Sequence, residues 1–172
     1  MKKLPVFLTL MFAVLVYGQF SIGFEGFHFH SIPKNQPFAL RYDGLSFVYD
    51  DSRGEKISTE AGIGLGVIEP SSDPEFLAGF PIAIKGFYGS VFDTQLVSAI
   101  GLRVSSRMGF VWLAFSKLAW AVSVSPKIYI RFNSADVFLG TELEVEAFDT
   151  GALLSLWNIN FGVNYTFGGG TE

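Results

Sequence analysis

Three glutamates at alternate positions near the end of the chain could place three carboxylates on one surface. They are Glu142, Glu144 and Glu146. Side chains of a β-strand alternate between its two faces, so residues two apart share a face. Buried like charges are costly unless cations compensate them, and Lys127, Arg131 and Arg103 lie on polar faces of nearby segments. We therefore expect a salt-bridge network, in which a tight hairpin at 133–136 would set Lys127 opposite Glu142.

The only two histidines, His28 and His30, are also two residues apart and would share a strand face. A metal site is therefore geometrically possible, although the sequence identifies no further ligands. Polar residues near the rim of a sheet are the simpler interpretation. No glycine-rich phosphate loop, nucleophile elbow or Cys/His cluster is present, so the sequence predicts no cofactor and no catalytic residue.

The alternating pattern of segment 153–167 indicates that β-strands would position these charges. Its odd positions are almost all apolar, including Trp157, Ile159, Phe161, Val163, Tyr165 and Phe167. Its even positions from 158 onward are polar or glycine. This alternation predicts a strand with one apolar and one polar face, with Phe161 pointing outward and Asn160 inward. We accordingly expect an arginine to be tolerated better at Asn160 than at Phe161.

The N-terminus has the features of an export signal. Lys2 and Lys3 precede an apolar run over 4–16, and Gly18 offers a cleavage position. The run is too short to span a bilayer comfortably as a helix. We therefore predict a signal peptide at 1–18, a single domain at 19–172, and a mature chain that begins at Gln19 or within a few residues.

Composition narrows the class of protein further. Hydrophobic residues make up 49% and the mean hydropathy is +0.38, yet after the signal no apolar run could form a membrane helix. There is no cysteine, which excludes disulfide scaffolds. Removing Lys2 and Lys3 leaves ten basic and sixteen acidic residues, so no nucleic-acid partner is expected.

Successive alternating segments joined by short polar turns predict an antiparallel up-and-down meander. Two segments change phase, at Gly26 and at 43–44, and the first change predicts a β-bulge. A hairpin is expected at Asp93-Thr94. Ser105–Lys117 is apolar on both faces in its core and could be a strand, a short helix or a lip segment. The count is eight strands if that segment is a loop and ten if it contributes strands.

The apolar faces carry too many large side chains to fit inside an eight-stranded barrel, so they should face lipid. With its closing phenylalanine Phe167, the last strand resembles the terminal strand of bacterial outer-membrane β-barrels. The chain as a whole resembles the small eight-stranded members, such as the OmpA transmembrane domain and the OmpX and OmpW types. The resemblance implies an all-β transmembrane barrel in the outer membrane of a diderm bacterium, contacting outer-membrane lipid and the barrel-assembly machinery.

The implied role is structural, adhesive or concerned with small solutes, with a polar plugged interior and no catalysis. Two alternatives stay open. One is a lipid A-modifying deacylase or acyltransferase in the same fold, although His30 and Ser31 are adjacent and would face opposite ways. The other is a soluble exported barrel that binds an apolar ligand. Nothing in the sequence indicates an oligomeric state.

Overall fold

Eight antiparallel strands form the described part of the chain in a computed structural model. The described residues are 20–31, 40–51, 56–69 and 81–167. The predicted signal peptide at 1–18 lies outside them. The strands are β1 (Phe20–Ser31), β2 (Arg41–Asp50), β3 (Ile57–Ile68), β4 (Ile82–Val97), β5 (Ile100–Leu113), β6 (Lys117–Phe132), β7 (Ala135–Phe148) and β8 (Leu153–Phe167). No described residue belongs to a helix long and apolar enough to cross a membrane.

The strands close into a barrel in sequence order. Each pairs with the next, and β1 pairs with β8 from Phe20 opposite Phe167 to Ser31 opposite Leu156. The prediction of an eight-stranded antiparallel barrel is confirmed, and the ten-stranded alternative is wrong. We call the end holding Phe20 and Phe167 the terminus end. The opposite end, where the β1–β2, β3–β4, β5–β6 and β7–β8 connections lie, is the loop end.

Strand β6 illustrates how the alternation builds the wall. Its outward side chains include Trp120, Val122 and Val124, and its inward ones include Ser123 and Ser125. The outward set is exposed and apolar, and the inward set is buried and small or polar. The wall therefore has its apolar side outside over most of its height.

The predicted hairpin at Asp93-Thr94 is wrong, because the turn lies at 98–99 and Asp93 is still within β4. Asp93 points inward there, and its carboxylate accepts two hydrogen bonds from the Arg103 guanidinium on β5. Ser105–Lys117 is not a loop either: its first part completes β5, and a short turn follows at 114–116. Ala114 and Phe115 adopt positive φ in that turn.

No bulge occurs at Gly26, because the register of β1 against β2 is continuous from Ser21 to His30. The phase change has another cause. Near the loop end the interior is apolar, so Phe27 and Phe29 point inward. The buried side chains of this apolar end core are Phe27, Phe29, Leu40, Tyr42, Ile68, Ala83, Val111, Leu113, Ala114, Ala119, Ala121, Phe148, Leu154 and Leu156. The same core explains the second phase change and the two apolar faces of β5.

Candidate functional site: the charged barrel interior

The middle of the interior is organised around Arg107. Its guanidinium donates to both carboxylate oxygens of Glu25 at 3.0 and 2.8 Å, and to both of Glu60 at 2.5 and 3.1 Å. Lys127 Nζ lies 2.7 Å from Glu25, and the Asn160 amide donates to the same carboxylate at 2.8 Å. Two carboxylates and two cations therefore balance in this central cluster of Glu25, Glu60, Arg107, Lys127 and Asn160.

A second, acidic cluster lies toward the loop end. Lys85 contacts Glu144 and lies 3.3 Å from Glu142, which also accepts the Ser123 hydroxyl at 2.5 Å. The Tyr42 hydroxyl reaches Glu144 at 3.2 Å and Glu146 at 2.9 Å. The two clusters meet where Arg107 Nη1 lies 3.6 Å from Glu142 Oε2. The acidic cluster thus comprises Tyr42, Lys85, Glu142, Glu144 and Glu146.

A third cluster occupies the terminus end. Arg103 lies 2.7 Å from Asp93, 3.5 Å from Asp136 and 3.8 Å from Asp50. Arg131 pairs with Asp136 at 2.8 Å and is partly exposed. The acidic, central and terminus-end clusters therefore distribute ion pairs along the interior, from the loop-end half to the terminus end.

The residues of the predicted charge network all lie in the barrel interior or at its rim, but their pairing differs from the expected one. Lys127 lies opposite Gly140 rather than Glu142, and it pairs across the interior with Glu25. A side chain at position 140 would collide with the Lys127 stem, since an added Cβ would lie 2.6 Å from its Cγ. Glu142 is instead paired with Lys85 and Arg107.

Sequence reasoning missed four residues that hold the interior together: Glu25, Glu60, Lys85 and Arg107. A signal for one of them was available, because Arg107 follows Arg103 by four positions and so shares its strand face. No comparable signal indicated an interior role for Glu25, because the residues on either side of it on β1 are apolar residues and glycines. The partners could not be inferred because they lie on strands that are not neighbours.

Among the described residues, buried acids outnumber buried bases. The acids are Glu25, Asp50, Glu60, Asp136, Glu142, Glu144 and Glu146, and the bases are Lys85, Arg103, Arg107 and Lys127. The surplus is concentrated at Glu146, whose Oε1 accepts from Tyr42 and whose Oε2 has no hydrogen-bond partner in the described structure. Glu146 is thus the carboxylate held least by cations.

This arrangement makes Glu146→Gln a mild change. We expect the free energy of unfolding to stay within about 1 kcal/mol of wild type, because the variant removes a buried charge that lacks a close cation. Glu25→Gln is the matched control and should cost about 3–5 kcal/mol, because it leaves Arg107 and Lys127 undercompensated. Urea midpoints of the refolded barrel measure both. Equal losses in the two variants would contradict the conclusion that Glu146 lacks a close cation.

The histidines lie on the outer surface. His28 stands opposite Asp43 on β2, and its Nδ1 contacts the Asp43 carboxylate. Ligand atoms of His28, Asp43 and Glu69 all lie within 4.8 Å of one another. The ring of His30 packs against those of His28 and Trp157, with centroids 4.6 and 5.3 Å apart. The structure therefore supplies two carboxylates beside His28 that the sequence did not identify.

The outward face of β8 carries the aromatic row of the closing strand. Trp157, Ile159, Phe161, Val163, Tyr165 and Phe167 are all exposed to the outside of the barrel. Asn158 and Asn160 on the other face are fully buried. The strand thus separates an apolar exterior from a polar interior along most of its length.

Comparison with known proteins places the fold. No protein-family model matches the chain, and no curated protein matches it significantly. Among solved structures, Neisserial surface protein A is similar with a TM-score of 0.58 at 14% identity, covering 86% of this chain and 97% of that one. A de novo designed transmembrane β-barrel (TM-score 0.49, 9% identity, 87% and 95% covered) and Ail of Yersinia pestis (0.46, 10%, 87% and 97%) also match. The chain has the fold of the small eight-stranded barrels that its sequence resembles.

Proposed function

We propose that this chain is exported, loses residues 1–18, and is inserted by the barrel-assembly machinery into the outer membrane of a diderm bacterium. There it serves as a structural barrel with a closed interior. Neither solute passage nor catalysis is part of this proposal. The proposed membrane location rests on one observation, which is the composition of the outward surface.

Each of the eight strands presents a large apolar side chain to the outside, and each of these side chains is more than half exposed. In strand order they are Phe24, Leu45, Leu65, Tyr88, Met108, Val122, Leu143 and Phe161. Soluble monomers rarely expose contiguous apolar patches larger than a few hundred Å². A belt that surrounds the whole barrel is stable where hydrocarbon replaces water. This belt also argues against the soluble barrel that binds an apolar ligand, because such a barrel would need its apolar side inward.

The closed interior is inferred from the ion pairs that cross it. Arg107 on β5 reaches Glu25 on β1, and Lys85 on β4 reaches Glu144 on β7. An eight-stranded barrel has room for little beyond its own side chains. Beyond the acidic cluster, apolar residues line the interior at the loop end, including the fully buried Phe29 and Leu154. These contacts bury the interior carboxylates and leave no space beside them for a substrate. We therefore propose a structural role.

Conductance measurement tests the closed interior. We expect the mature protein in planar lipid bilayers to give no single-channel steps above those of protein-free membranes. Liposomes that contain it should not swell in small sugars. A large general porin reconstituted in parallel supplies the positive control. Reproducible steps from the wild-type protein would refute the closed interior and favour a small-solute role.

Cell fractionation tests the location independently. The protein should sediment with outer membranes and need detergent for extraction, and its purified form should begin at or near Gln19. Recovery in the soluble periplasmic fraction would favour the soluble barrel. A lipid A mass spectrum that changes when the protein is deleted would favour the enzyme.

A further inference from the structure

One part of the outer surface breaks the apolar pattern. Toward the loop end, the outward side chains of β1 and β2 include His28, His30, Arg41 and Asp43, and Glu69 follows directly after β3. The Glu69 backbone N–H donates to the Arg41 carbonyl at 2.9 Å, which holds Glu69 beside β2. Three consecutive strands therefore bring an imidazole and two carboxylates to one place.

Apart from Arg41, the residues that stand opposite this group on the neighbouring strands are apolar. Ile159 stands opposite His28 on β8, Trp157 stands opposite His30, and Val67 stands opposite Asp43 on β3. Ionisable side chains on the lipid side of a barrel are costly unless they lie near its interface or are paired. Their concentration at a single place, close to the loop end, indicates a shared ligand rather than a general polar surface.

The donor set and its spacing suit a metal ion. Bonds from zinc to imidazole nitrogen or carboxylate oxygen are about 2.0–2.2 Å, so two ligand atoms of one tetrahedral ion lie roughly 3.3–3.6 Å apart. The ligand atoms of His28, Asp43 and Glu69 lie within 4.8 Å of one another, so small side-chain movements would bring them to this spacing. The His28 and Asp43 side chains are 44% and 49% exposed, so the surrounding protein leaves space for an ion and for small movements of both side chains.

We propose that His28, Asp43 and Glu69 form a binding site for a divalent transition metal ion. Zn²⁺ is the ion that this set of ligands fits best. An imidazole nitrogen favours Zn²⁺ over Mg²⁺ or Ca²⁺, which prefer oxygen ligands alone. Three protein ligands leave one position of a tetrahedral ion open to water or to an outside ligand. His30 packs its ring edge to face on that of His28 but contributes no ligand to the proposed site.

Calorimetric titration of the mature, tag-free protein with Zn²⁺ in detergent tests the site. We expect one saturable Zn²⁺ site per chain that an equal concentration of Mg²⁺ or Ca²⁺ does not block. His28→Ala, Asp43→Asn and Glu69→Gln should each weaken binding at least tenfold. In wild type, but not in these three variants, Zn²⁺ should also raise the urea midpoint, because a ligand that binds only the folded state stabilises it.

His30→Ala is the matched control, since it removes the other histidine from the same face but no proposed ligand. It should retain affinity within a few-fold of wild type. The absence of saturable Zn²⁺ binding in wild type would overturn the proposal. So would a His30→Ala loss as large as that of His28→Ala, because a pair of histidines would then explain the binding without the carboxylates.

Discussion

Replacing Arg107 with methionine is expected to lower the free energy of unfolding by about 3–5 kcal/mol. Arg107 is buried and bonded to both oxygens of Glu25 and of Glu60. Its loss would remove the ion pair that the described structure gives to Glu60 and leave Glu25 paired with Lys127. Urea unfolding in lipid vesicles, followed by tryptophan fluorescence, measures the effect.

Two controls separate this charge effect from lost packing. The double variant Arg107→Met with Glu60→Met removes one charge of each sign and should recover most of the loss, since apolar replacement of a buried pair is often neutral. Arg131→Met at the partly exposed rim should cost about 0–1 kcal/mol. Asp136, the partner of Arg131, would still have Arg103 as a cation at 3.5 Å. A loss below about 1 kcal/mol in Arg107→Met would indicate that water screens these charges, against a closed interior.

Phe161→Arg is expected to cost about 2–4 kcal/mol in a lipid bilayer, the value for a cation on the lipid side near the midplane. Phe161 lies near the middle of β8, points outward and is 61% exposed. Its ring also covers Gly26 on β1, where an added Cβ would lie 2.8 Å from the ring. The variant should therefore refold poorly in vesicles and show a lowered urea midpoint.

Phe167→Arg is the matched control, because it lies on the same face of the same strand at the terminus end. It should cost only about 0–1 kcal/mol, as expected near an interface. The sequence alone predicted that Asn160→Arg would be tolerated better than Phe161→Arg. However, Asn160 is fully buried and its amide donates to Glu25 and Ser125. We now expect that variant to be damaging through lack of space. Equal costs for Phe161→Arg and Phe167→Arg in vesicles would contradict a lipid-facing belt.

The strand count could be predicted from the alternating segments and polar turns, and the closing strand from the chemically distinct faces that β8 keeps over 157–167. The same rule failed where the interior is itself apolar. Phe27 and Phe29 on β1, and Val111 and Leu113 on β5, point inward although an apolar residue was expected to point outward. The apolar end core therefore appeared in the sequence as a false bulge and as a segment with no clear face.

The ion pairs could be predicted in kind but not in partner. Register between neighbouring strands follows from turns, yet Arg107 and Glu25 belong to strands on opposite sides of the barrel and are 82 residues apart. Only closure of the barrel brings them together. Even between neighbours, the expected contact between Lys127 and Glu142 was wrong, because the turn after β6 sets Lys127 against Gly140.

Closure also decides how this protein can meet another one. The ladder between β1 and β8 runs the whole length of β1, so no described strand has a free edge. Recognition by strand addition needs unpaired backbone N–H and C=O groups, and edge-to-edge aggregation needs the same. The described barrel offers neither. A partner, including a second copy of the chain, must therefore bind through outward side chains or through the connections at the two ends.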